Sequence, residues 1–286
     1  MRFRIVSLTL LILYSVIINI NRTEKVFAII PYYNLPSKEN LKKESFNLGK
    51  SAYQLLYFGQ LKESLKMAEL AISLNDNDEK LWAILAEVQI ANKLYEKALI
   101  SLNKAKKLNP NIGEIYFAES SIYLKKNEIS KAKLSLLKGL KLEPKNYTAL
   151  FQLGNIFLME KEYEKALESF NLALKINPKF WQAINNKGLV YFELNEKTLA
   201  ISSFKEAISI NNNAESLLAL SVTLHNQGKN DFIKLAKEAL LKNPNYVSTK
   251  YRKEQLWGEK LQNATKELFR IKELKAEIEL AKKYLN

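Results

Sequence analysis

Tyr95-Glu96-Lys97-Ala98-Leu99, running on to Asn109-Pro110, returns as Tyr163-Glu164-Lys165-Ala166-Leu167 and Asn177-Pro178 at an offset of 68 residues. Ile129-Ser130-Lys131-Ala132 and Glu143-Pro144 fall midway, so the chain has an internal period of 34. A unit that short cannot bury an apolar face by itself. Its neighbours must stack on it, which makes the chain an array rather than a closed globule. Within residues 147–180, Leu150, Leu153, Gly154 and Phe157 share one face of a first helix, and Ala166, Phe170 and Ala173 share one face of a second. Gly154 and Ala166 allow the two helices to approach closely, and Pro178 stops the second because its ring cannot continue the hydrogen-bond ladder. With only 8 Gly and 6 Pro in 286 residues, turn-dense all-β and Pro-rich readings lose.

The same pattern recurs in unit 79–112 (Trp82, Leu85, Ala86, Ala98, Leu102, Pro110) and in 113–146 (Tyr116, Tyr123, Ala132, Leu136, Gly139, Pro144), where Glu119 stands in an apolar position. Unit 181–214 keeps Ile184, Gly188, Ala200 and Phe204, with Asn212 in place of the proline. Unit 45–78 is degenerate, and unit 214–246 reads as two residues short in its inter-helix turn. Spacing and small residues together resemble the tetratricopeptide repeat, a helix-turn-helix unit of this length. The fold expected is all-α: a right-handed superhelical solenoid of about six repeats over residues 45–246, with a long C-terminal capping helix in 247–286. Leu256, Trp257, Leu261, Leu268 and Ile278 lie near helical spacing there, and the Lys- and Glu-rich second half reads either as a pairing helix or as a solvated extension.

Arg2 and Arg4 precede an uncharged run from Ile5 to Ile20, shorter than the roughly 20 residues a spanning helix needs. With Val26-Phe27-Ala28 after it, residues 1–28 read as a signal peptide or signal anchor, placing the rest of the chain across a membrane, in a periplasm or thylakoid lumen. Residues 29–44, which open on Ile29-Ile30-Pro31-Tyr32, read as a linker. That opening, Phe180-Trp181-Gln182-Ala183 and Glu254-Gln255-Leu256-Trp257-Gly258 are similar to exported tetratricopeptide proteins of cyanobacteria. Some related cyanobacterial and plastid proteins assist the assembly of photosynthetic membrane complexes, and the resemblance implies such a role here.

The family resemblance also implies a ligand surface on the concave side, built from first-helix positions. Those positions hold Tyr53, Tyr57, Glu87, Phe117, Ser121, Phe151, Gln152, Asn155, Asn185, Asn186, Phe192, His225 and Asn226. Tyr53, Tyr57, Phe117, Phe151, Gln152, Asn155, Asn185, Asn186 and Phe192 are the candidate partner-binding residues. Amides can pair with a peptide backbone and rings can cover apolar side chains, although the same amides could instead bridge neighbouring helices and the same rings pack between repeats. A carboxylate clamp for chaperone tails is disfavoured, because Asn155 and Asn186 match it while Phe151, Glu215 and Ala219 replace its basic groups.

No nucleotide-binding or hydrolase motif is present, the chain has no Cys and one His, and no catalytic residue, cofactor or metal is expected. The reading is a non-enzymatic scaffold that holds a protein or peptide partner. The net charge of +14 keeps a second reading open, a cytoplasmic basic regulatory or nucleic-acid-binding protein, although nucleic acid is the less favoured partner. Fractionation followed by N-terminal sequencing checks the leader: cleavage after Ala28 gives a first residue of Ile29 in the exported fraction, and an intact Met1 in the soluble cytoplasm would overturn export.

Overall fold

A computed structural model of the chain describes residues 36–285, and every regular element among them is helical. The expected export segment 1–28 lies outside the described residues, as does most of the expected linker. The chain divides into two units, residues 1–41 and 42–286. Of the first, only the entry into helix α1 (Lys38–Tyr57) is described, where Ser37 Oγ accepts a hydrogen bond from Asn40 N–H at 3.1 Å and satisfies an otherwise orphaned helical donor. Residues 38–44 are therefore helical and not linker. Once past Pro36, that stretch holds good helix formers with neither Pro nor Gly. No helix among the described residues is long and apolar enough to cross a membrane.

In the second unit the period of 34 becomes a regular alternation. First helices α3 (Glu79–Ala91), α5 (Gly113–Lys125), α7 (Tyr147–Met159), α9 (Trp181–Glu193) and α11 (Ala214–Asn226) each have 13 residues. They alternate with second helices α4 (Tyr95–Leu108), α6 (Ile129–Leu142), α8 (Tyr163–Ile176) and α10 (Lys197–Ile210), each of 14 residues, and with α12 (Phe232–Lys242). Helix α2 (Leu61–Leu74) pairs with α1, where Ser64 Oγ donates to the Ala52 carbonyl at 2.7 Å.

The hairpin turns repeat as faithfully as the helices. Gly59, Lys93, Asn127, Lys161, Asn195 and Gly228 all adopt positive φ, between 59° and 73°. After each, the next N–H reaches back to a first-helix carbonyl, as in Leu94 N to Gln89 O at 2.8 Å and Glu162 N to Phe157 O at 2.8 Å. This closure consumes carbonyls that the helix end would leave unpaired. Second helices stop for a different reason. Asn109, Asn177 and Asn243 precede prolines and take extended backbone, and the Asn side chain accepts from the N–H two residues on, at 3.1, 3.2 and 3.0 Å.

Close approach within each pair rests on small residues. Ala98, Ala132, Ala166 and Ala200 have no exposed surface, and a methyl group added at Gly154 would stand 2.4 Å from the Phe170 ring. Glu119, the odd carboxylate of its unit, is buried but answered by Lys106 Nζ at 2.5 Å and Ser135 Oγ at 2.8 Å.

Two expectations are corrected. The sixth repeat's turn is longer than those of the others, residues 227–231, and it is the second helix that is cut to 11 residues, beginning only after Asp231 at φ 74°. The C-terminal region is not one long helix. It runs through 3₁₀ turn Pro244–Val247, α13 (Thr249–Glu254), α14 (Glu259–Leu268), 3₁₀ turn Lys272–Leu274 and α15 (Lys275–Lys283). The break comes at Leu256, φ 64°, and its cause is Arg252, which is 1% exposed. Its guanidinium donates to the Tyr246 carbonyl at 2.5 Å, the Val247 carbonyl at 3.0 Å, Thr249 Oγ1 at 3.1 Å and Gln262 Oε1 at 3.0 Å, drawing the segments on both sides of the turn together. Burial holds the guanidinium down at about 10. Helix α15 is docked rather than projecting, with Ile278 and Ala281 buried and Glu277 paired to Lys237 at 2.7 Å.

Gly154→Ala should lower the unfolding midpoint in urea by the equivalent of about 1–3 kcal/mol, the usual cost of overpacking, because Phe170 is itself fully buried and has nowhere to move. An unchanged midpoint would mean that the α7–α8 approach is looser than described.

Candidate peptide groove

First helices lay their inward positions side by side, and the candidate residues fall into three environments along that wall. At the start, Tyr53 and Tyr57 are 51% and 83% exposed, the latter edge-on to Phe58 with ring centroids 5.6 Å apart. In the middle, Phe117, Phe151, Gln152 and Asn155 are half-buried. Phe117 leans against Gly139 of α6, and Phe151 packs edge-on to Phe180 at 5.0 Å and at a tilt to Phe170 at 5.8 Å, so both rings chiefly join helices. At the far end Asn185, Asn186 and Phe192 are buried.

The amides form a ladder across three repeats. Asn186 Nδ2 donates to Asn155 Oδ1 at 2.8 Å, Asn185 Nδ2 to Asn186 Oδ1 at 3.1 Å, and Ser216 Oγ to Asn185 Oδ1 at 2.8 Å. Asn213 closes it, accepting from Ser216 N–H at 2.9 Å as the cap of α11. Of the two readings open for Asn185, bridging between repeats is the one that describes it, since it has no exposed surface.

What covers the far end is the chain itself. Helix α14 lies against α9 and α11, on the first-helix side of repeats five and six. The Glu193 carboxylate accepts from Lys260 N–H at 3.2 Å and Leu261 N–H at 3.0 Å, capping α14 in place of its own N-terminal residue. Gly258 makes room for it, since a methyl group there would stand 2.3 Å from that carboxylate. Trp257, 3% exposed, donates its indole N–H to Glu215 Oε1 at 3.1 Å. Burial beneath this strap pushes the Glu215 carboxyl up to about 7, opposed by the Trp257, Asn185 and Tyr246 hydrogen bonds. Burial and the neighbouring Glu215 push the Tyr246 phenol upward in turn.

No described segment of the chain covers repeats two and three in this way. A cavity of about 490 Å³ lies between α3 and α5, walled by Ala83, Ile84, Ile90, Ile115 and Ala118. Glu87, Glu114 and Ser121 are its polar groups. Glu87 stands at its rim, where partial burial raises its carboxyl above the ordinary value. The concave register identifies Glu87 and Ser121, whereas the strap, Glu193 and Arg252 escaped sequence reading because nothing local marks Leu256 as a reversal. Among the described residues no three His, Asp or Glu side chains converge as a metal site requires.

Family models of the tetratricopeptide repeat match residues 79–112, 113–146, 147–180 and 182–213. These units are tetratricopeptide repeats. Solved structures with the same fold include pilF of Pseudomonas aeruginosa, at 16% identity and TM-score 0.64, covering 77% of this chain and 99% of that one. PilW, a type IV pilus biogenesis factor, aligns at 18% identity and TM-score 0.60 over 77% of this chain and 97% of its own. YrrB, described as a tetratricopeptide protein with an unusual peptide-binding site, aligns at 19% identity and TM-score 0.51 over 67% and 95%. No curated protein matches the chain in sequence.

Because the folded Glu215 carboxyl titrates near 7 and the unfolded one near 4.5, the folded chain holds the extra proton between those values. Its contribution to stability is therefore full below about 4.5 and is lost as pH rises through 7. Glu215→Gln should flatten this part of the pH dependence of thermal unfolding and raise the melting temperature at pH 8. A variant with the wild-type pH profile would overturn the assignment.

Proposed function

We propose that the chain is a non-enzymatic scaffold that holds a segment of a protein partner against the first helices of repeats one to four, with its own C-terminal strap closing repeats five and six. The observation that carries this is the open, apolar-walled cavity between α3 and α5, continuous in register with the part of the wall that the strap already fills. The strap illustrates what such a wall accommodates: buried apolar side chains, with N–H donors delivered to wall carboxylates. The peptide-binding site of YrrB and the pilus-biogenesis role of PilW, both on this fold, support the same kind of use.

The basic N-terminus followed by the uncharged run Ile5–Ile20 supports export or anchoring, and with it a partner on the far side of a membrane. The sequence resemblance to exported cyanobacterial repeat proteins supports assembly of a membrane complex, including a photosynthetic one, as the task. Nucleic acid is a poorer ligand for this wall, because the charged side chains of the cavity are carboxylates and would repel phosphate.

Ala118→Trp fills the cavity without touching the amide ladder. Recovery of bound partner protein from its native membrane or lumen should fall at least about tenfold, corresponding to about 1.4 kcal/mol of binding, while circular dichroism stays helical. Undiminished recovery in a folded Ala118→Trp chain would overturn the groove.

A further inference from the structure

The cavity between α3 and α5 has a charge character opposite to that of the chain. Lys and Arg outnumber Asp and Glu by 44 to 30 overall, yet the charged side chains lining this cavity are Glu87 and Glu114. Neither carboxylate takes part in an ion pair among the described residues; Glu114 instead lies beside the Glu143 carboxyl, which accepts from the Glu114 N–H at 3.1 Å and is raised by burial and by Glu114 itself. Glu119, by contrast, one helix turn further along α5 and facing the other way, is answered by both Lys106 and Ser135.

A second observation comes from the covered end of the same wall. Glu114 is the second residue of its repeat, and Glu215 holds that same place in the sixth repeat. There the carboxylate is met by the Trp257 indole N–H, while the flanking Leu261 is fully buried and Leu256, half-buried, packs against the core of repeats four and five. The strap thus shows a wall carboxylate taking a donor from a segment that packs apolar groups beside it. Glu114 and Glu87 present the same acceptor chemistry beside an apolar surface, with no segment of the described chain to fill it. Two carboxylates flanking an apolar cavity favour a donor that also carries positive charge, since charge-assisted hydrogen bonds are about twice as strong as neutral ones and partial desolvation by the walls strengthens them further.

We propose that this cavity is a binding site for a protein segment bearing a Lys or Arg flanked by apolar side chains, the cation placed between Glu87 and Glu114 and the apolar groups against Ile84, Ile90 and Ala118. The inference rests on the groove reading above and names the chemistry of its ligand.

The test is panning of a phage-displayed library of random 12-residue peptides against the purified full-length chain, its Glu87→Gln/Glu114→Gln variant and its Ala118→Trp variant, each verified as folded by circular dichroism. Wild type should enrich peptides in which Lys or Arg adjoins Leu, Ile or Phe. The double Gln variant should lose the basic preference while still selecting apolar residues, with synthetic versions of the wild-type peptides binding it about tenfold more weakly. Ala118→Trp should lose both. Basic enrichment that survives in the double Gln variant overturns the cation site. If wild type selects peptides without basic residues and Ala118→Trp abolishes them, the groove reading stands and the cation site fails. If no selected peptide is sensitive to Ala118→Trp, both fail.

Discussion

Each helix pair in this chain is stable only because another lies on it, and that dependence is met at a few positions where backbone approaches backbone. Fully buried alanines at 98, 132, 166 and 200, and glycines at 154 and 188 pressed against Phe170 and Phe204, set the spacing within each pair. Uniform spacing is what allows a 34-residue unit to be copied without accumulating error. It also keeps the first helices in register, so that their inward positions form a continuous wall. Every property of that wall, apolar in one repeat and amide-rich in the next, is a choice of side chains on an unchanging frame.

Along the wall, polarity is matched to what covers it. Where the strap lies, the buried wall groups are engaged, Glu193 by two backbone N–H groups, Glu215 by an indole, and Asn185 by its neighbours. Burying such groups without partners would cost more than the strap's apolar contacts return. Over repeats two and three the cavity carboxylates Glu87 and Glu114 reach solvent and need no internal partner. For these carboxylates, then, an internal partner goes with covered wall and solvent exposure with open wall.

Legibility differed by level. The repeat, its helix pairs and the small residues between them could be read directly, because periodicity and close packing leave a residue-type signature at Ala98, Ala132 and Ala166. The left-handed turn positions could not, because Lys93 and Lys161 occupy a conformation usually announced by Gly or Asn. Helical spacing of Leu256, Trp257 and Leu261 argued for one straight helix, but burial of those side chains on the wall and of Arg252 among carbonyls outweighs the few helical hydrogen bonds lost at the reversal. Within the site, inward position was legible and exposure was not. Phe151 and Asn185 point where the register places them, and are then claimed by Phe180 at the end of the same repeat and by Ser216 of the next one.

The strap also gives the array a direction. Repeats five and six are held from two sides, by their neighbours and by a segment gathered around a single guanidinium, whereas among the described residues repeat one has no such cover and leaves Phe46, Tyr57 and Phe58 exposed. In a stack whose members depend on adjacent members, fraying starts where a member has lost a neighbour and advances inward. Amide exchange would accordingly sweep from α1 toward α11, with the carboxyl-terminal repeats the last to open. A partner seated over repeats two and three would stand across the path of that front and slow its passage.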